Sequence, residues 1–281
     1  MTLALLVFLL VALVASPAGA ADYTGPLIDA HSHVPNGTAI DAYAAAAKRH
    51  NVSKVLLLGV GGRQKNDPAW IAAAAQKYPE LVLAGAPVAD PAAVDRVESE
   101  IDQLKPRAIG EVHVRQLSQK IDRDPSGADF QKLLELAARQ KLPVVIHDDL
   151  DIPATERLER ALASQRGATI VLAHGGESAP TRIETLLGRH PNLMVDLSGM
   201  HFQRKPPLAS EHGPIDPMWK ALIEKMPDRF LFGIDVWAPR LFEPAMLDRL
   251  MKWSRRVLGE LKPEVAERVA YGNAAALLGV K

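Results

Sequence analysis

The 281-residue chain contains no cysteine. That absence excludes disulfide bonds, thiolate metal ligands and a cysteine nucleophile. The 33 basic and 33 acidic residues give a net formal charge of zero, so we expect no electrostatic attraction to nucleic acid or to a membrane surface. The longest apolar run, from Leu3 to Val14, has about twelve residues, whereas a membrane-spanning helix needs roughly 20. Histidine, aspartate and glutamate are the side chains left to bind a metal.

The first twenty residues are typical of a secretory signal peptide. The apolar run is followed by Ser16-Pro17-Ala18-Gly19-Ala20, which places small residues at the cleavage positions. We therefore expect a secreted or periplasmic protein with no membrane attachment after cleavage. Residues 21–281 are close in length to the roughly 250 residues of a barrel domain. They contain no low-complexity segment or linker, so we predict one domain.

Short apolar runs, each followed by a polar turn and a helical pattern, recur along this domain. Most are nearly continuous in Val, Ile and Leu, as are parallel strands buried on both faces. Eight strand-then-helix units predict an α/β fold, a single-domain (β/α)₈ TIM barrel, with an open doubly wound sheet as the alternative. Asp-Pro pairs at Asp67, Asp90, Asp124 and Asp216 predict helix N-caps. The predicted strands are residues 27–34, 52–60, 81–88, 107–114, 143–149, 169–176, 193–200 and 230–237.

Polar side chains recur where these strands end. His31 and His33 lie two residues apart in the first strand and therefore project from the same face. Because the carboxyl ends of parallel strands meet at one end of a barrel, we expect the strand-end residues to converge. His50 and His190 instead end predicted helices, where an imidazole interacts favourably with the helix dipole and needs no function. The other strand-end candidates are Glu111, His113, His147, His174 and Asp235.

Converging nitrogen and oxygen ligands suit Zn²⁺, Mn²⁺ or Fe²⁺. A bound Zn²⁺ lowers the pKa of a water molecule to about 7 and makes hydroxide available at neutral pH. Asp235 is then placed to take the proton of that water and pass it to a leaving group. The pattern predicts a metal-dependent hydrolase whose metal-bound hydroxide attacks the ester, lactone or amide carbonyl of a small molecule.

The strand-end residues fall in five sequence motifs. In their order along the chain, these motifs resemble the amidohydrolase superfamily, in its amidohydrolase-related branch (family 2). Two further stretches, Val195-Asp196-Leu197-Ser198-Gly199 and Tyr271-Gly272-Asn273-Ala274-Ala275, are also similar to that branch. The resemblance covers nearly all of residues 21–281. The five motifs are His31-Ser32-His33, Gly110-Glu111, Val145-Ile146-His147, Leu172-Ala173-His174-Gly175-Gly176 and Leu231-Phe232-Gly233-Ile234-Asp235.

The resemblance implies one or two divalent ions per chain, with Zn²⁺ expected first and Mn²⁺ or Fe²⁺ as alternatives. It implies catalytic roles for His174, which binds the second ion or orients water and substrate, and for Asp235, which is both ligand and proton shuttle. Glu111 falls where two-metal members carry a bridging group. The implied metal ligands are His31, His33, Glu111, His147, His174 and Asp235.

Three loops at the predicted mouth stand out by length or charge: residues 61–65, 115–124 and 201–215. The last is long enough to form a lid. Their charged residues are candidates for contact with an anionic substrate, with solvated loop charge as the alternative. The candidate substrate-binding residues are Arg63, Arg115, His201 and Arg204 in these loops, together with His113 and Trp237 at the ends of predicted strands.

Several alternatives remain open at this point. The same branch includes decarboxylases, so decarboxylation of an aromatic or unsaturated carboxylic acid is the second enzymatic reading. An exported protein that binds a metal or small ligand without turnover is the third, and a purely structural barrel is the fourth. The alternative to a metal-binding role for Glu111 is an ion pair with an arginine. The alternative for Asp196 and Ser198 is hydrogen bonding between strands. A homo-oligomer is compatible with the sequence.

Overall fold

The computed structural model describes residues 21–280, and the predicted signal peptide, residues 1–20, lies outside them. The strands are β1 (Leu27–Ser32), β2 (Val52–Leu57), β3 (Val82–Ala86), β4 (Ala108–Gln116), β5 (Ile121–Asp122), β6 (Val144–Asp148), β7 (Ile170–Leu172), β8 (Leu193–Asp196) and β9 (Phe230–Leu231). The α-helices are α1 (Ala39–Arg49), α2 (Asp67–Lys77), α3 (Val94–Leu104), α4 (Ala128–Gln140), α5 (Ile152–Ser164), α6 (Pro180–Arg189), α7 (Pro217–Lys225), α8 (Pro244–Gly259), α9 (Pro263–Glu267) and α10 (Asn273–Leu278).

Eight of these strands form a parallel ring in chain order, and the short β5 pairs antiparallel with the end of β4. The ring closes where β1 meets the segment after β9. Backbone bonds there run from Ala30 N to Phe232 O (3.0 Å) and from Asp235 N to His31 O (2.8 Å). The fold is the predicted (β/α)₈ TIM barrel. The open doubly wound alternative is wrong, because such a sheet would leave β1 and β9 as unconnected edges.

The barrel interior is filled by aliphatic side chains from alternate strand positions, as close packing requires. Ile28 and Ala30 of β1 belong to this inner cluster, and α10 covers its amino-terminal end through Ala274 and Leu278. The helices bury their apolar faces against the outside of the strands. Within residues 21–280, every helix is too short or too polar to cross a membrane.

Three predicted strands end at least four residues earlier than expected. β7 ends at Leu172, β8 at Asp196 and β9 at Leu231. After β7, His174, Gly175 and Gly176 all adopt left-handed backbone, with φ of 57°, 59° and 63°. Glycine adopts this conformation without steric cost, so Gly175 and Gly176 permit a tight turn between β7 and α6. The turn carries His174 over the mouth of the barrel.

The predicted helix starts are only partly right. Asp216 caps α7, accepting hydrogen bonds from two backbone N–H groups at 2.9 and 3.0 Å. Asp67 instead lies inside α2, and its carboxylate accepts the N–H of Val60 at 2.7 Å. Asp90 and Asp124 precede the first turns of α3 and α4 and bond within local turns. An Asp-Pro pair fits such a turn as well as it fits a cap, so the pattern alone does not separate the two.

Candidate metal centre

His31 and His33 point into the mouth of the barrel from the same face, as predicted, with their Nε2 atoms 3.3 Å apart. The strand is irregular between Asp29 and Ser32, where its register against β2 shifts. In a regular strand the adjacent residues Ala30 and His31 would point to opposite faces. Because of this irregularity, both face the interior of the barrel. Both histidines are essentially inaccessible to solvent.

The opposite ring nitrogen of each histidine is already engaged. Nδ1 of His31 donates to Oδ2 of Asp196 at 2.9 Å, and Nδ1 of His33 donates to the carbonyl oxygen of Leu58 at 2.9 Å. In the neutral rings, both Nε2 atoms are therefore bare lone pairs that face each other. Two lone pairs this close repel, so a proton lies between them in the metal-free protein: burial would lower the pKa of His31, but the charges of Asp196 and Glu111 raise it. A divalent ion would take the place of that proton. The donor set thus fits a divalent metal, and the outer hydrogen bonds hold each ring in the tautomer that a ligand needs.

Glu111 of β4 lies at the centre of the site and is almost fully buried. Five imidazole nitrogens lie within 3.7 Å of its carboxylate oxygens. Burial by itself would raise the pKa of Glu111, but the positive charge of His31 and the hydrogen bonds of the neighbouring imidazoles hold it well below its usual range. Among the described residues no arginine lies within ion-pair distance of Glu111, so the alternative of an arginine partner is wrong. Its five histidine neighbours are His31, His33, His113, His147 and His174.

His147 and His174 each direct a ring nitrogen at Glu111. Nδ1 of His174 donates to the carbonyl oxygen of Ser198 at 2.9 Å, which leaves Nε2 facing Oε1 of Glu111 at 3.1 Å. Nε2 of His147 bonds Oδ1 of Asp149 at 3.1 Å, which leaves Nδ1 facing Oε1 of Glu111 at 3.2 Å. Burial opposes the charge of His147, but Asp149 and Glu111 raise its pKa to about 10. In the metal-free protein a proton on Nδ1 of His147 therefore lies beside Glu111, and a divalent ion would take the place of that proton.

Asp235 completes the site from the segment after β9. Its left-handed backbone (φ 59°) aims the carboxylate at His33, with Oδ1 3.4 Å from Nε2 of that ring. Oδ2 accepts a hydrogen bond from Nη1 of Arg204 at 2.9 Å. Burial would raise the pKa of Asp235, but the positive charges and hydrogen bonds of the neighbouring histidines lower it. The group is therefore an ionised carboxylate at neutral pH, suited to bind a metal and to receive a proton.

Three overlapping triads of ligand atoms are close enough to hold an ion. Every predicted metal ligand belongs to one of them. His147 groups with Glu111 and His113, whereas His174 groups with Glu111 and His31, so the two do not share a triad. The triads are His31, His33 and Asp235; His31, Glu111 and His174; and Glu111, His113 and His147.

A cavity of about 280 Å³ opens above these residues. The loop of residues 201–215 contributes His201, Gln203 and Arg204 to its wall. Of the predicted substrate-binding residues, Arg115 lies outside this cavity. Its guanidinium bonds the carbonyl oxygen of Asp149 and, at 2.6 Å, Oδ2 of Asp151. The predicted residues that line the cavity are Arg63, His113, His201, Arg204 and Trp237.

His201 is a neutral imidazole inside this wall. Its Nδ1 accepts the backbone N–H of Gln203 at 3.1 Å, so its proton lies on Nε2. Burial lowers the pKa of His201 to about 4, although the charge of Asp235 opposes that shift. His201 is thus uncharged at neutral pH and lies outside the three ligand triads.

Some functional neighbours were missed at the level of sequence. Hydrogen bonding between strands was the alternative for Asp196, and the residue does bond between strands, but its partner is the ring of His31 in the site. Asp29 is buried and ties β1 to the closing segment by accepting the N–H of Ile234 at 2.8 Å. Both are acidic residues within apolar strands. A buried charge requires partners, so an acidic residue inside an apolar strand is the sequence signal that could have identified them. Arg240 also lines the cavity.

Residues 60–280 match a family model described as Amidohydrolase. No curated protein matches the chain by sequence.

Solved structures share the fold at low sequence identity. A dihydroxybenzoic acid decarboxylase from Polaromonas sp. JS666, solved with bound manganese and 2-nitroresorcinol, is 14% identical (TM-score 0.64; 91% of this chain and 97% of that chain covered). An amidohydrolase from Burkholderia multivorans with bound zinc is 15% identical (TM-score 0.62; 92% and 100%). A 4-oxalomesaconate hydratase from Rhodopseudomonas palustris is 13% identical (TM-score 0.59; 90% and 96%).

Proposed function

The chain belongs to the amidohydrolase family, and we propose that it is a metal-dependent hydrolase that cleaves an ester, lactone or amide bond of a small substrate. The observation that carries the proposal is the pair of Nε2 atoms of His31 and His33, 3.3 Å apart, beside the ionised carboxylate of Asp235. A metal-dependent hydrolase uses this combination of a cation site and an adjacent proton acceptor.

One or two divalent ions, with Zn²⁺ expected first, would be held by the predicted ligands. Zn²⁺ suits this set of imidazole and carboxylate ligands, and its affinity depends on keeping the rings deprotonated at the liganding nitrogen. When bound, the ion polarises a carbonyl group and lowers the pKa of a water molecule. The proposed ligands are His31, His33, Glu111, His147, His174 and Asp235.

Asp235 accepts a proton from the attacking water and returns it to the leaving group. Arg204 donates to the Oδ2 atom of Asp235 and so fixes the orientation of the carboxylate. His174 donates its Nδ1 proton to the carbonyl oxygen of Ser198, which makes its Nε2 a better ligand than a donor to a substrate carbonyl. We therefore assign His174 to metal binding and leave proton transfer to Asp235.

The test is the source of the oxygen in the product. The zinc-loaded protein is incubated with panels of esters, lactones and amides in H₂¹⁸O, and the carboxylic acid product is analysed by mass spectrometry. We expect one ¹⁸O atom per turnover and loss of turnover in Asp235→Asn. Turnover without ¹⁸O would exclude hydrolysis. Metal binding without turnover of any substrate would instead support a binding protein.

Decarboxylation of an aromatic or unsaturated acid is the second candidate. The observation in its favour is the presence of arginine side chains in the cavity wall, which suit a carboxylate substrate. The same incubation separates the two reactions, because decarboxylation releases CO₂ and takes up no oxygen from water. In either case we propose a small-molecule substrate and action after export.

A further inference from the structure

Five histidines surround Glu111, and in four of them the ring nitrogen that faces away from it has a hydrogen-bond acceptor. The acceptors are carboxylate or backbone carbonyl oxygens at 2.9–3.1 Å. Such an acceptor keeps a proton on the outer nitrogen and leaves the inner nitrogen able to bind a metal ion. The four pairs are His31 with Asp196, His33 with Leu58, His147 with Asp149 and His174 with Ser198.

His113 is the exception. Its outer nitrogen, Nδ1, is buried and has no hydrogen-bond partner within residues 21–280. The loop after β2 closes over this side of the ring, because a methyl group at Gly61 would lie 2.4 Å from Cγ and 2.6 Å from Nδ1 of His113. A proton on Nδ1 would therefore be buried without an acceptor, which is unfavourable. In the neutral ring, the proton lies on the inner nitrogen, Nε2.

That inner nitrogen meets one oxygen of Glu111. Nε2 of His113 donates to Oε2 at 3.1 Å, and the next nitrogen, Nε2 of His33, is 3.7 Å from the same oxygen. Oε1 instead lies 3.1 Å from Nε2 of His174 and 3.2 Å from Nδ1 of His147. The two oxygens thus differ in their surroundings. Oε2 accepts a fixed donor, whereas Oε1 faces two nitrogens that are able to bind a metal.

We propose that His113 is a positioning residue, which donates Nε2–H to Oε2 of Glu111 and thereby directs Oε1 to the metal ion. His113 is then neither a metal ligand nor a substrate contact, although its position at a strand end predicted substrate binding. The triad of Glu111, His113 and His147 is accordingly not a separate ion site. The inference rests on the metal site of the proposed function and does not depend on which bond the enzyme cleaves.

The test compares two variants of the full chain for binding of Zn²⁺, measured by competition with a chromophoric chelator. His113→Leu removes the donor. His113→Gln keeps an N–H donor, but its neutral amide is a poor zinc ligand. We expect His113→Leu to bind zinc about 10- to 100-fold more weakly, as is typical when a partner that holds a metal ligand is lost, and His113→Gln to recover most of that affinity.

A second measurement separates positioning from metal binding. The protein is saturated with Co²⁺, whose visible absorption depends on the atoms bound to the ion, and the equivalents of bound metal are counted. Both variants should match the wild type in absorption and in equivalents. His190→Gln carries the same substitution at the end of α6, outside the ligand triads, and should leave affinity and absorption unchanged. If His113→Leu does not fold, His113→Ala removes the same donor without adding bulk.

Three results would overturn the proposal. Loss of a metal equivalent or a changed Co²⁺ spectrum in His113→Gln would make His113 a ligand. Wild-type zinc affinity in His113→Leu would show that the hydrogen bond to Glu111 positions nothing. Equal weakening in His113→Leu and His113→Gln would show that the donor is not what matters. A wild type that binds no metal would refute the metal site of the proposed function and this inference with it, whereas the other results refute the inference alone.

Discussion

Replacing Asp196 by asparagine is expected to weaken metal binding through its effect on His31. The carboxylate accepts Nδ1–H of His31 at 2.9 Å through Oδ2, and the backbone N–H groups of Ser198 (3.0 Å) and His174 (3.2 Å) through Oδ1. All these partners are donors, so one half of an asparagine amide must face a donor with its NH₂ group. If that half faces His31, the ring changes tautomer and places its proton on Nε2, where the metal should bind.

The size of the effect follows from this geometry. Loss of a hydrogen bond that orients a liganding histidine lowers metal affinity by about 10- to 100-fold. That range corresponds to about 1.4–2.7 kcal/mol of binding free energy. If the amide turns the other way, two backbone N–H groups lose their acceptor, and the unfolding free energy falls by about 1–3 kcal/mol for each buried group left unpaired. The variant therefore weakens either metal binding or the fold.

The assay is competition for Zn²⁺ against a chromophoric chelator, run beside denaturant unfolding of the same preparations. Asp216→Asn is the matched control, because asparagine caps a helix nearly as well as aspartate and α7 lies outside the metal centre. Asp196→Asn with wild-type zinc affinity and wild-type stability would refute the assignment of Asp196 as the residue that holds His31.

Three further outcomes are expected. Asp235→Asn should lower turnover by about 10²- to 10⁴-fold, since it removes the proton acceptor, as measured on any substrate that the wild type hydrolyses; full activity at neutral pH would contradict the proton-transfer role. Tyr43→Phe should lower the unfolding free energy by about 1.5–3 kcal/mol, because the buried hydroxyl donates to the Asp29 carboxylate at 2.6 Å. Tyr78→Phe removes an exposed hydroxyl that also donates to a carboxylate, and it should lower the unfolding free energy much less. Equal losses in urea unfolding would show that burial of the hydrogen bond is irrelevant. Addition of Zn²⁺ at about 100 times its Kd should raise the unfolding free energy of the metal-free protein by about 2.7 kcal/mol, and an unchanged thermal midpoint would argue against a site in the native state.

The barrel was predictable because its signals are local and repeated. Eight apolar runs, each followed by a helical pattern, leave few architectures for a domain of this length. The convergence of His31, His147, His174 and Asp235 followed from their positions at strand ends, since the topology brings those ends together.

The partners of these residues were harder to predict, because they depend on register and backbone turns. The irregularity between Asp29 and Ser32 changes which side chains face inward, and no feature of the sequence marks it. Left-handed backbone is uncommon for residues other than glycine and nothing in the sequence marks it at Asp235, so the aim of its carboxylate at His33 was visible only in the structure. The charge balance around the cavity was also not predictable from the sequence, because Arg204 pairs with Asp235 whereas Arg240 has no carboxylate partner within residues 21–280.

The metal content of the purified protein tests the central claim most directly. Elemental analysis should be made on the wild type and on His31→Ala after reconstitution with Zn²⁺ and removal of loosely bound ions. We expect one or two equivalents of zinc in the wild type and clearly less in the variant, because His31 belongs to two of the three ligand triads. A wild type that retains no metal, or a variant that retains as much as the wild type, would contradict the assignment of this cluster as a metal centre.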